Sequence, residues 1–453
     1  MKYIGTQLME KAPVPQAIIR LALPMMAAML AQSVYNMTDL FFIGQTGDPN
    51  MVAAISLVFP IFMLSQAAGN IFATGGSSYI SRALGLKDEE SARNTGAVSF
   101  YFSLAAGLLL AVLLLCLKSP VLTVIGASES TIAYTRDYYT IVALFMPFAV
   151  SGVVFSGLMR SEGATGRAMI LQIAGIALNI ALDPLFILGF GWGTSGAAWA
   201  TVAGQLASFG YGVWYFASKK SLLSIRLKHA RPSAAILREL FVIGVPAGVA
   251  NVLMSFAAVL GNRVAAYYGD YVVAGFGVQM RIASLCFMFV FGLSMGYQPF
   301  AGFNYGARNF GRLKKGFKLT LGLSTAICAA GSLVFFFAGD FLIRLFIDDP
   351  QTVEAGAAML RSFILGLLFL GIQVTLTTTF QALGRGTAAM VVSLGRQLLF
   401  YVPALYTLNA LFGFRGFIFA LPAADVCTAL LALVLGIPLV KVLRRPETAG
   451  SSN

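Results

Sequence analysis

Residues 172–184 have the sequence QIAGIALNIALDP, an apolar helix that carries an amide and a carboxylate near its C-terminal end. Asn179 and Asp183 are four positions apart and share one helix face, and Gln172 extends the polar stripe. Pro184 lacks a backbone N–H and loosens the hydrogen-bond ladder at this point. An ionisable group is costly inside a bilayer, so such a residue usually faces a bundle interior and marks an ion or substrate path. The stretch therefore predicts a functional helix within a membrane bundle.

The composition supports a membrane protein. Of the 453 residues, 58% are hydrophobic and 11% are charged, whereas a soluble globular protein has about 25% charged residues. No soluble core accommodates that much apolar surface. The lysines and arginines behind the net charge of +13 are therefore expected in cytoplasmic loops, and the charge is not taken as a sign of nucleic-acid binding.

Twelve stretches of about 20 or more apolar residues, separated by short polar breaks, predict twelve membrane-spanning helices. Their approximate limits are 16–42, 52–81, 95–117, 132–159, 168–190, 195–217, 238–265, 272–303, 318–339, 356–382, 387–411 and 416–440. The expected fold is an all-α polytopic membrane protein that contacts the lipid bilayer over its length.

The charge of the breaks alternates along the chain. Breaks after even-numbered spans are rich in basic residues, among them Lys87, Arg167, Lys219, Arg308, Arg444 and Arg445. The opposite breaks hold only Lys118, Arg136, Arg344 and Arg415, together with several acids. The positive-inside rule then predicts a multi-pass protein of a bacterial-type cytoplasmic membrane with both termini in the cytoplasm.

An internal repeat divides the chain at its longest basic connection. Residues 163–169 (GATGRAM) correspond to residues 384–390 (GRGTAAM), and residues 84–87 correspond to residues 305–308. Because an even number of spans precedes each match, the halves are parallel repeats related by an axis along the membrane normal. We expect a first lobe of six helices in residues 1–217, a basic cytoplasmic linker in 218–237 and a second six-helix lobe in 238–453.

A polar stripe also runs along the first span. Its members follow each other at spacings of three or four positions and share one face: Met25, Met29, Gln32, Asn36 and Asp39. Tyr35 flanks this face, and the sixth span carries a shorter stripe of Thr201, Gln205 and Ser208.

Three of these polar residues are expected at one depth. Counted from the predicted outer ends of their spans, Asp39, Asp183 and Thr201 lie about 5–10 Å below the boundary of the apolar region. Asp39 and Asp183 have no acidic counterpart in the second lobe, where the corresponding positions are Gly261 or Asn262 and Pro403 or Ala404. The acids therefore do something that the shared architecture does not require.

Two neighbouring carboxylates in a partly dry site cannot both stay ionised at low cost, so one of them can load and unload a proton. The same site also offers oxygen ligands for Na⁺: the carboxylates of Asp39 and Asp183, the Asn179 carbonyl and the Thr201 hydroxyl. Sequence chemistry does not choose between H⁺ and Na⁺. The alternatives are that Asp39 caps a helix end, that Asn179 is only an interhelical hydrogen-bonding group, and that Asp183 has a purely structural role.

The candidate substrate cavity comprises polar and adaptable side chains of the first and sixth spans with a second intramembrane acid. These residues are Met29, Gln32, Tyr35, Asn36, Gln205 and Asp425. Four arginines near or within spans are expected to snorkel or to meet a backbone carbonyl: Arg263, Arg281, Arg361 and Arg396.

Several function classes are disfavoured. No phosphate-binding Gly-x-x-x-x-Gly-Lys-Ser/Thr loop occurs, so an ion gradient is a better energy source than ATP hydrolysis. A single histidine argues against an intramembrane enzyme, and the four scattered cysteines support neither disulfides nor a zinc site. We expect no cofactor besides the coupling ion.

The chain resembles the multidrug and toxic compound extrusion (MATE) family over essentially its whole length. The resemblance rests on the opening LPMMAAMLAQSVYNMTDLFFIG, the loop ISRALGLKD, the segment RSEGATGRAMILQIAGIALNIALDPLFI, and GAAWATVAGQ. On the pattern of the branch whose cation site lies in the first lobe, Asp39, Asn179, Asp183 and Thr201 match the cation-site positions. Gln32 and Tyr35 match residues that line the nearby cavity.

The resemblance implies a monomeric secondary antiporter that exports organic cations or amphiphilic drugs in exchange for H⁺ or Na⁺, by alternating access between two lobes. The alternative is a flippase or exporter of lipid-linked or other endogenous metabolites from the same superfamily. Another branch of the family has acidic residues in the seventh and eighth spans as well. In this sequence those two spans contain no buried carboxylate, which argues against an ion site in the second lobe.

Overall fold

The computed structural model describes residues 4–218 and 220–443, apart from the side chains of Asn36, Met37, Asp39, Leu40, Val440 and Val442. Lys219, Arg444 and Arg445, which belong to the predicted basic breaks, lie outside the described residues. The described regular structure is helical. The α-helices are α1 (Ile4–Glu10), α2 (Val14–Gly44), α3 (Pro49–Gly85), α4 (Glu89–Cys116), α5 (Lys118–Val124), α6 (Ile132–Leu144), α7 (Met146–Ser161), α8 (Thr165–Asp183), α9 (Gly193–Ala217), α10 (Ala234–Ala266), α11 (Asp270–Gly306), α12 (Phe310–Arg344), α13 (Pro350–Ala382), α14 (Gly386–Leu394) and α15 (Val402–Leu443).

Each of the twelve predicted spans coincides with helical structure. Among the described residues, nine helices are long and apolar enough to cross a membrane, and α6 and α7 make a tenth as a pair bent by 54°. That count takes Gly386–Leu439 as one helix, although Gly413 breaks it with φ 59° and ψ −137°. It also omits α9, which is rich in small and hydroxyl residues. The ten helices become eleven when the one broken at Gly413 is counted as two, and twelve when α9 is added. The prediction of twelve helices is confirmed.

The helices pack into two compact units. Unit 1 contains the chain up to Leu8 and Ala27–Gly248, and unit 2 contains Met9–Met26 and the chain from Val249 onward. The boundaries predicted from the repeat, 1–217, 218–237 and 238–453, stay a prediction.

The repeat is visible in the backbone conformation. Among the described residues, Lys87 and Arg308 are the non-glycine residues with positive φ, at 63° and 56°. Such residues are uncommon in proteins, and these two lie at corresponding positions, 221 residues apart. Gly163 and Gly384 show the same relation, with φ of 80° and 77°. The two halves therefore share the unusual turns as well as the helices.

The helix caps that follow these turns are also repeated. The Asp88 carboxylate accepts a hydrogen bond from the Ser91 backbone N–H at 3.0 Å and starts α4. Asn309 accepts one from the Arg312 N–H at 3.1 Å and starts α12. A side-chain oxygen at this position satisfies an otherwise unpaired backbone donor, so both helices begin for the same reason.

Helices α8 and α9 of unit 1 touch backbone to backbone. A Cβ added to Gly175 would lie 2.7 Å from the Gly204 carbonyl oxygen and would also meet Ser208 Oγ, and one added to Gly204 would lie 2.5 Å from the Gly175 oxygen. The Ser208 hydroxyl donates to the Leu171 carbonyl at 2.9 Å across the same contact. Small residues allow such close helix packing in membranes, where apolar burial drives association weakly.

The basic connections of unit 1 meet at one end of that unit. Arg82 at the end of α3 forms an ion pair with Glu239 of α10 at 2.7 Å. Arg93 and Tyr101 of α4 donate to carbonyl oxygens of the linker, at Leu222 and Ile225, both at 3.1 Å. The segment after α9 is therefore held against α4 within unit 1. The placement of these connections on one side of the membrane stays a prediction.

Glu162, in the loop between α7 and α8, is the centre of this attachment. Its side chain accepts hydrogen bonds from the Tyr215 hydroxyl at 2.6 Å, the Ser221 hydroxyl at 2.8 Å and the Leu222 N–H at 2.9 Å. The residue is 5% exposed. Burial raises the pKa of Glu162 to about 7, although the hydrogen bonds that it accepts favour the charged form and oppose this shift.

We predict that the burial of Glu162 makes the folded protein more stable as the pH falls. The pKa of Glu162 is raised from 4.5 to about 7 in the folded state, so the folded state holds the proton more strongly than the unfolded state. The stabilisation is complete below pH 4.5 and is lost as the pH rises through about 7. The thermal midpoint in detergent should therefore be higher at pH 6 than at pH 8, by an amount that corresponds to about 1 kcal/mol of stability.

Glu162→Gln has an uncharged side chain of the same shape at every pH, so its thermal midpoint should lose this pH dependence. Glu90→Gln, at an exposed acid, should keep the wild-type dependence. An unchanged pH dependence in the Glu162→Gln variant would contradict the assignment.

We also predict that Gly175→Ala destabilises the protein, because the added methyl group meets the Gly204 backbone. Overpacking of this kind costs about 1–3 kcal/mol and should lower the thermal midpoint in detergent. Gly166→Ala on the same helix is the matched control, since no atom lies within 4 Å of its added Cβ. The control should be neutral or stabilising by about 0.5–1 kcal/mol. Equal midpoints for the two variants would show that the close contact is dispensable.

Candidate ion-coupling site

The backbone contact of α8 and α9 brings three polar side chains of unit 1 together. Asn179, Asp183 and Thr201 are 2%, 0% and 3% exposed. The Asn179 amide nitrogen lies 3.4 Å from Asp183 Oδ1 and 3.5 Å from Thr201 Oγ1. The sequence prediction that these three residues share one site agrees with this geometry.

The hydrogen bonds in this cluster are long. Protein N–H···O bonds usually measure about 2.9–3.0 Å, so the Asn179 amide is shared loosely between a carboxylate and a hydroxyl. Among the described residues, Asn179 Oδ1 has no hydrogen-bond partner although it is buried. Buried acceptors without a donor are rare and costly. The cluster thus offers oxygen atoms that suit a small cation or a proton.

Helix α8 changes its winding immediately after Asp183. Pro184 begins a π-helical segment, Pro184–Gly189, which ends with the Phe190 N–H bonded to the Leu185 carbonyl at 2.8 Å. Proline cannot donate to the preceding turn, and π-helical turns frequently occur at functional sites. The predicted loosening of the backbone at Pro184 is confirmed, and it places Asp183 at the junction of two kinds of helix.

The start of α9 packs on this π-helical segment. A Cβ added to Gly196 would lie 2.7 Å from the Phe186 carbonyl oxygen. The chain between the two helices is short, and the Trp192 N–H bonds to the same carbonyl at 3.0 Å. Thr201 therefore approaches Asp183 because the helices that carry the two residues are joined tightly at this end.

The polar stripe of α2 is described only in part. The side chains of Asp39 and Asn36 lie outside the described residues, so the predicted meeting of Asp39 with Asp183 stays a prediction. Met29, Gln32 and Tyr35 are half-buried residues of α2. They stay candidates for the substrate cavity.

Two other members of the predicted stripes contact different neighbours. The Gln172 amide donates to the Ser156 hydroxyl of α7 at 2.8 Å, and so joins α8 to α7. Gln205 on α9 is half-buried, and its Oε1 has no hydrogen-bond partner among the described residues. Gln205 stays a candidate for the cavity.

Unit 2 contains an ion pair that sequence reasoning did not find. Arg396 Nε donates to Asp425 Oδ1 at 2.6 Å, and Asp425 is 0% exposed. Arg361 similarly pairs with Asp340. The expectation that Arg396 snorkels or meets a backbone carbonyl is therefore wrong, because its guanidinium is buried against a carboxylate on another helix. Arg361 and its partner are half-exposed, so the snorkelling of Arg361 stays a prediction. The predicted role of Asp425 as a substrate contact stays a prediction.

Comparison with known proteins identifies the family. The MatE family model matches the chain twice, over residues 24–185 and 246–407. The chain is 33% identical to the multidrug export protein MepA of Staphylococcus haemolyticus over 426 residues, and 32% identical to that of Staphylococcus aureus over 429 residues. These alignments cover 94% of this chain and 94% of each relative.

Solved structures give the same result. The chain superposes with a TM-score of 0.91 and 26% identity on an outward-facing multidrug resistance MATE family transporter of the MOP superfamily, and the match covers 98% of this chain and 100% of the other. The same values relate it to a MOP superfamily transporter from Pyrococcus furiosus, described as having a binding pocket of reverse polarity that suggests a different function. The repeated family match and the full-length relatives show that this chain belongs to the MatE family of membrane transporters.

Proposed function

We propose that this protein is a secondary antiporter that exports organic cations or amphiphilic drugs in exchange for H⁺ or Na⁺. The observation that carries the proposal is the buried carboxylate of Asp183, held with Asn179 and Thr201 between two membrane helices of unit 1. A charge in this position is energetically costly, and a residue that is nevertheless charged there usually has a function. The staphylococcal relatives, which are named multidrug export proteins, support a drug substrate.

The coupling step follows from the chemistry of the Asn179 amide. When Asp183 is ionised, the amide nitrogen donates to its carboxylate, as in this structure. When Asp183 is protonated, a half-turn of the amide presents its carbonyl oxygen to the new donor. Asn179 thereby stabilises both protonation states, which suits a site that loads and releases a proton in each cycle.

Sodium is the alternative coupling ion for the same site. Na⁺ is a hard cation that takes oxygen ligands, by analogy with the larger divalent cations. The Asp183 carboxylate, the Asn179 carbonyl and the Thr201 hydroxyl supply such oxygens, and Asp39 is proposed to complete the set. The buried Asn179 Oδ1, which has no donor among the described residues, supports this reading.

The wider arrangement is part of the same proposal. We assign both termini to the cytoplasm, because the basic connections of unit 1 gather at one end of that unit. We further propose a monomer in the cytoplasmic membrane that needs no cofactor beyond the coupling ion, binds no nucleic acid and transports by alternating access between its two lobes.

The second candidate function is export or flipping of a lipid-linked or other endogenous metabolite. It is kept because the structure from Pyrococcus furiosus is described as suggesting a different function within the same superfamily. Export of dyes by the purified protein would favour the drug substrate.

Neutralising the carboxylates should abolish coupling. We predict that Asp183→Asn, alone or with Asp39→Asn, lowers gradient-driven dye export from proteoliposomes at least about tenfold while the protein still inserts and folds. Asp348→Asn, at an exposed acid between α12 and α13, is the matched control and should export normally. Normal export by the double variant would refute the coupling role.

Thr201 distinguishes the two ions. Under a sodium gradient, Thr201→Val should weaken the apparent Na⁺ affinity about tenfold, since it removes one oxygen ligand, whereas Thr201→Ser should not. Under a proton gradient alone, both variants should keep most of their export. Imposing the pH and sodium gradients separately in proteoliposomes measures both effects, and equal behaviour of the two variants under a sodium gradient would rule out Thr201 as a ligand.

A further inference from the structure

The buried charges of unit 2 form one pair. Among the described residues of this unit, Arg396 and Asp425 are the buried charged side chains. Arg396 Nε donates to Asp425 Oδ1 at 2.6 Å, and the guanidinium lies over the Phe287 ring, 5.9 Å from its centre. The cation therefore contacts a carboxylate and an aromatic face at the same time, and both contacts stabilise a positive charge.

The repeat shows that this pair belongs to unit 2 alone. Corresponding positions in unit 1 are Gly175 for Arg396 and Gln205 for Asp425, a glycine and a neutral amide. In the opposite direction, Asn179, Asp183 and Thr201 correspond to Phe400, Ala404 and Leu421. Each unit thus holds a buried acid on the equivalent pair of helices, at different positions and with different partners.

The two acids differ in what faces them. Asp183 accepts a hydrogen bond from the neutral amide of Asn179, whereas Asp425 accepts one from a permanent cation. The backbone at Arg396 is also unusual, because the residue lies in the π-helical segment Gly395–Tyr401. Both units therefore use a π-helical segment close to their buried acid.

The second oxygen of Asp425 is buried without a hydrogen-bond donor among the described residues. This atom, Oδ2, lies 2.9 Å from the position of a Cβ on Gly366. Pro422, next to the same glycine, borders a cavity of about 20 Å³ that Gln279 and Tyr401 also line. A cavity of this size holds one water molecule, but its lining is mostly apolar and does not include Asp425. The feature at Asp425 itself that suits a cation is the buried Oδ2, which has no donor among the described residues.

From this geometry we infer that Arg396 is a tethered cation that occupies a latent cation site at Asp425, and so restricts ion coupling to unit 1. The inference rests on the proposed ion-coupled export. An ion entering this site would bring a second positive charge next to a guanidinium in a medium of low dielectric constant, where repulsion is strong. As long as Arg396 stays in place, Asp425 does not exchange ions with solution.

Removing the tethered charge should open the site. Arg396→Gln leaves Asp425 buried without a cation, so a proton or Na⁺ from solution should replace the guanidinium. Arg396→Lys keeps a tethered positive charge and should behave like the wild type. Arg396→Gln with Asp425→Asn is a neutral pair and should also keep the wild-type number of bound ions.

Ion binding to the purified full-length protein tests the inference. Bound radiolabelled Na⁺, and protons released on substrate addition measured with an indicator dye, should increase by one ion per protein in Arg396→Gln. A folded Arg396→Gln variant with the wild-type number of ions would overturn the inference.

A second arm does not depend on the folding of that variant. We expect that Asp39→Asn with Asp183→Asn removes ion binding altogether, because the guanidinium of Arg396 already occupies the site in unit 2. The Asp39→Asn, Asp183→Asn variant would overturn the inference if it still bound an ion and lost that ion when Arg396→Gln and Asp425→Asn were added. Gradient-driven dye export by the wild type tests the proposed function separately, so the two ideas fail on different measurements.

Discussion

The backbone contact between α8 and α9 at Gly175 and Gly204 is the interaction on which the candidate coupling site depends. Each glycine lies where the other helix would reject a Cβ. One turn along α8 from Gly175, Asn179 is brought within 3.5 Å of Thr201. A larger residue at either glycine would separate the helices and move the Thr201 hydroxyl of α9 away from the amide and the carboxylate of α8.

The cost of charge in hydrocarbon explains why the two units differ. A buried carboxylate is retained if it is neutralised or paired within the protein. In unit 1, Asp183 lies beside an amide that accommodates either protonation state, and in unit 2 a guanidinium on the neighbouring helix pairs with Asp425. The same fold thus pairs its buried acid with a neutral amide in one repeat and with a cation in the other.

Much of this fold was predictable, because the bilayer imposes length, apolarity and loop charge on the sequence itself. The repeat was also predictable, and the matched positive φ angles of Lys87 and Arg308 confirm it. The partners of the arginines were not predictable, since Arg396 and Asp425 are 29 positions apart and their meeting depends on how two helices rotate. The docking of Glu162 onto the linker was missed for the same reason.

The sequence by itself determined the membrane class, the twelve helices, the two repeats and the polar side chains that are costly in lipid, because each of these follows from local composition and periodicity. The spacing of four positions already brings Asn179 and Asp183 together on α8, but tertiary structure alone decided which polar groups of different helices meet. Thr201 joins Asn179 and Asp183 because two glycines allow the backbones of α8 and α9 to touch, whereas Gln172 of α8 donates to Ser156 on α7. Contacts between helices depend on rotation and separation, which no single helix encodes.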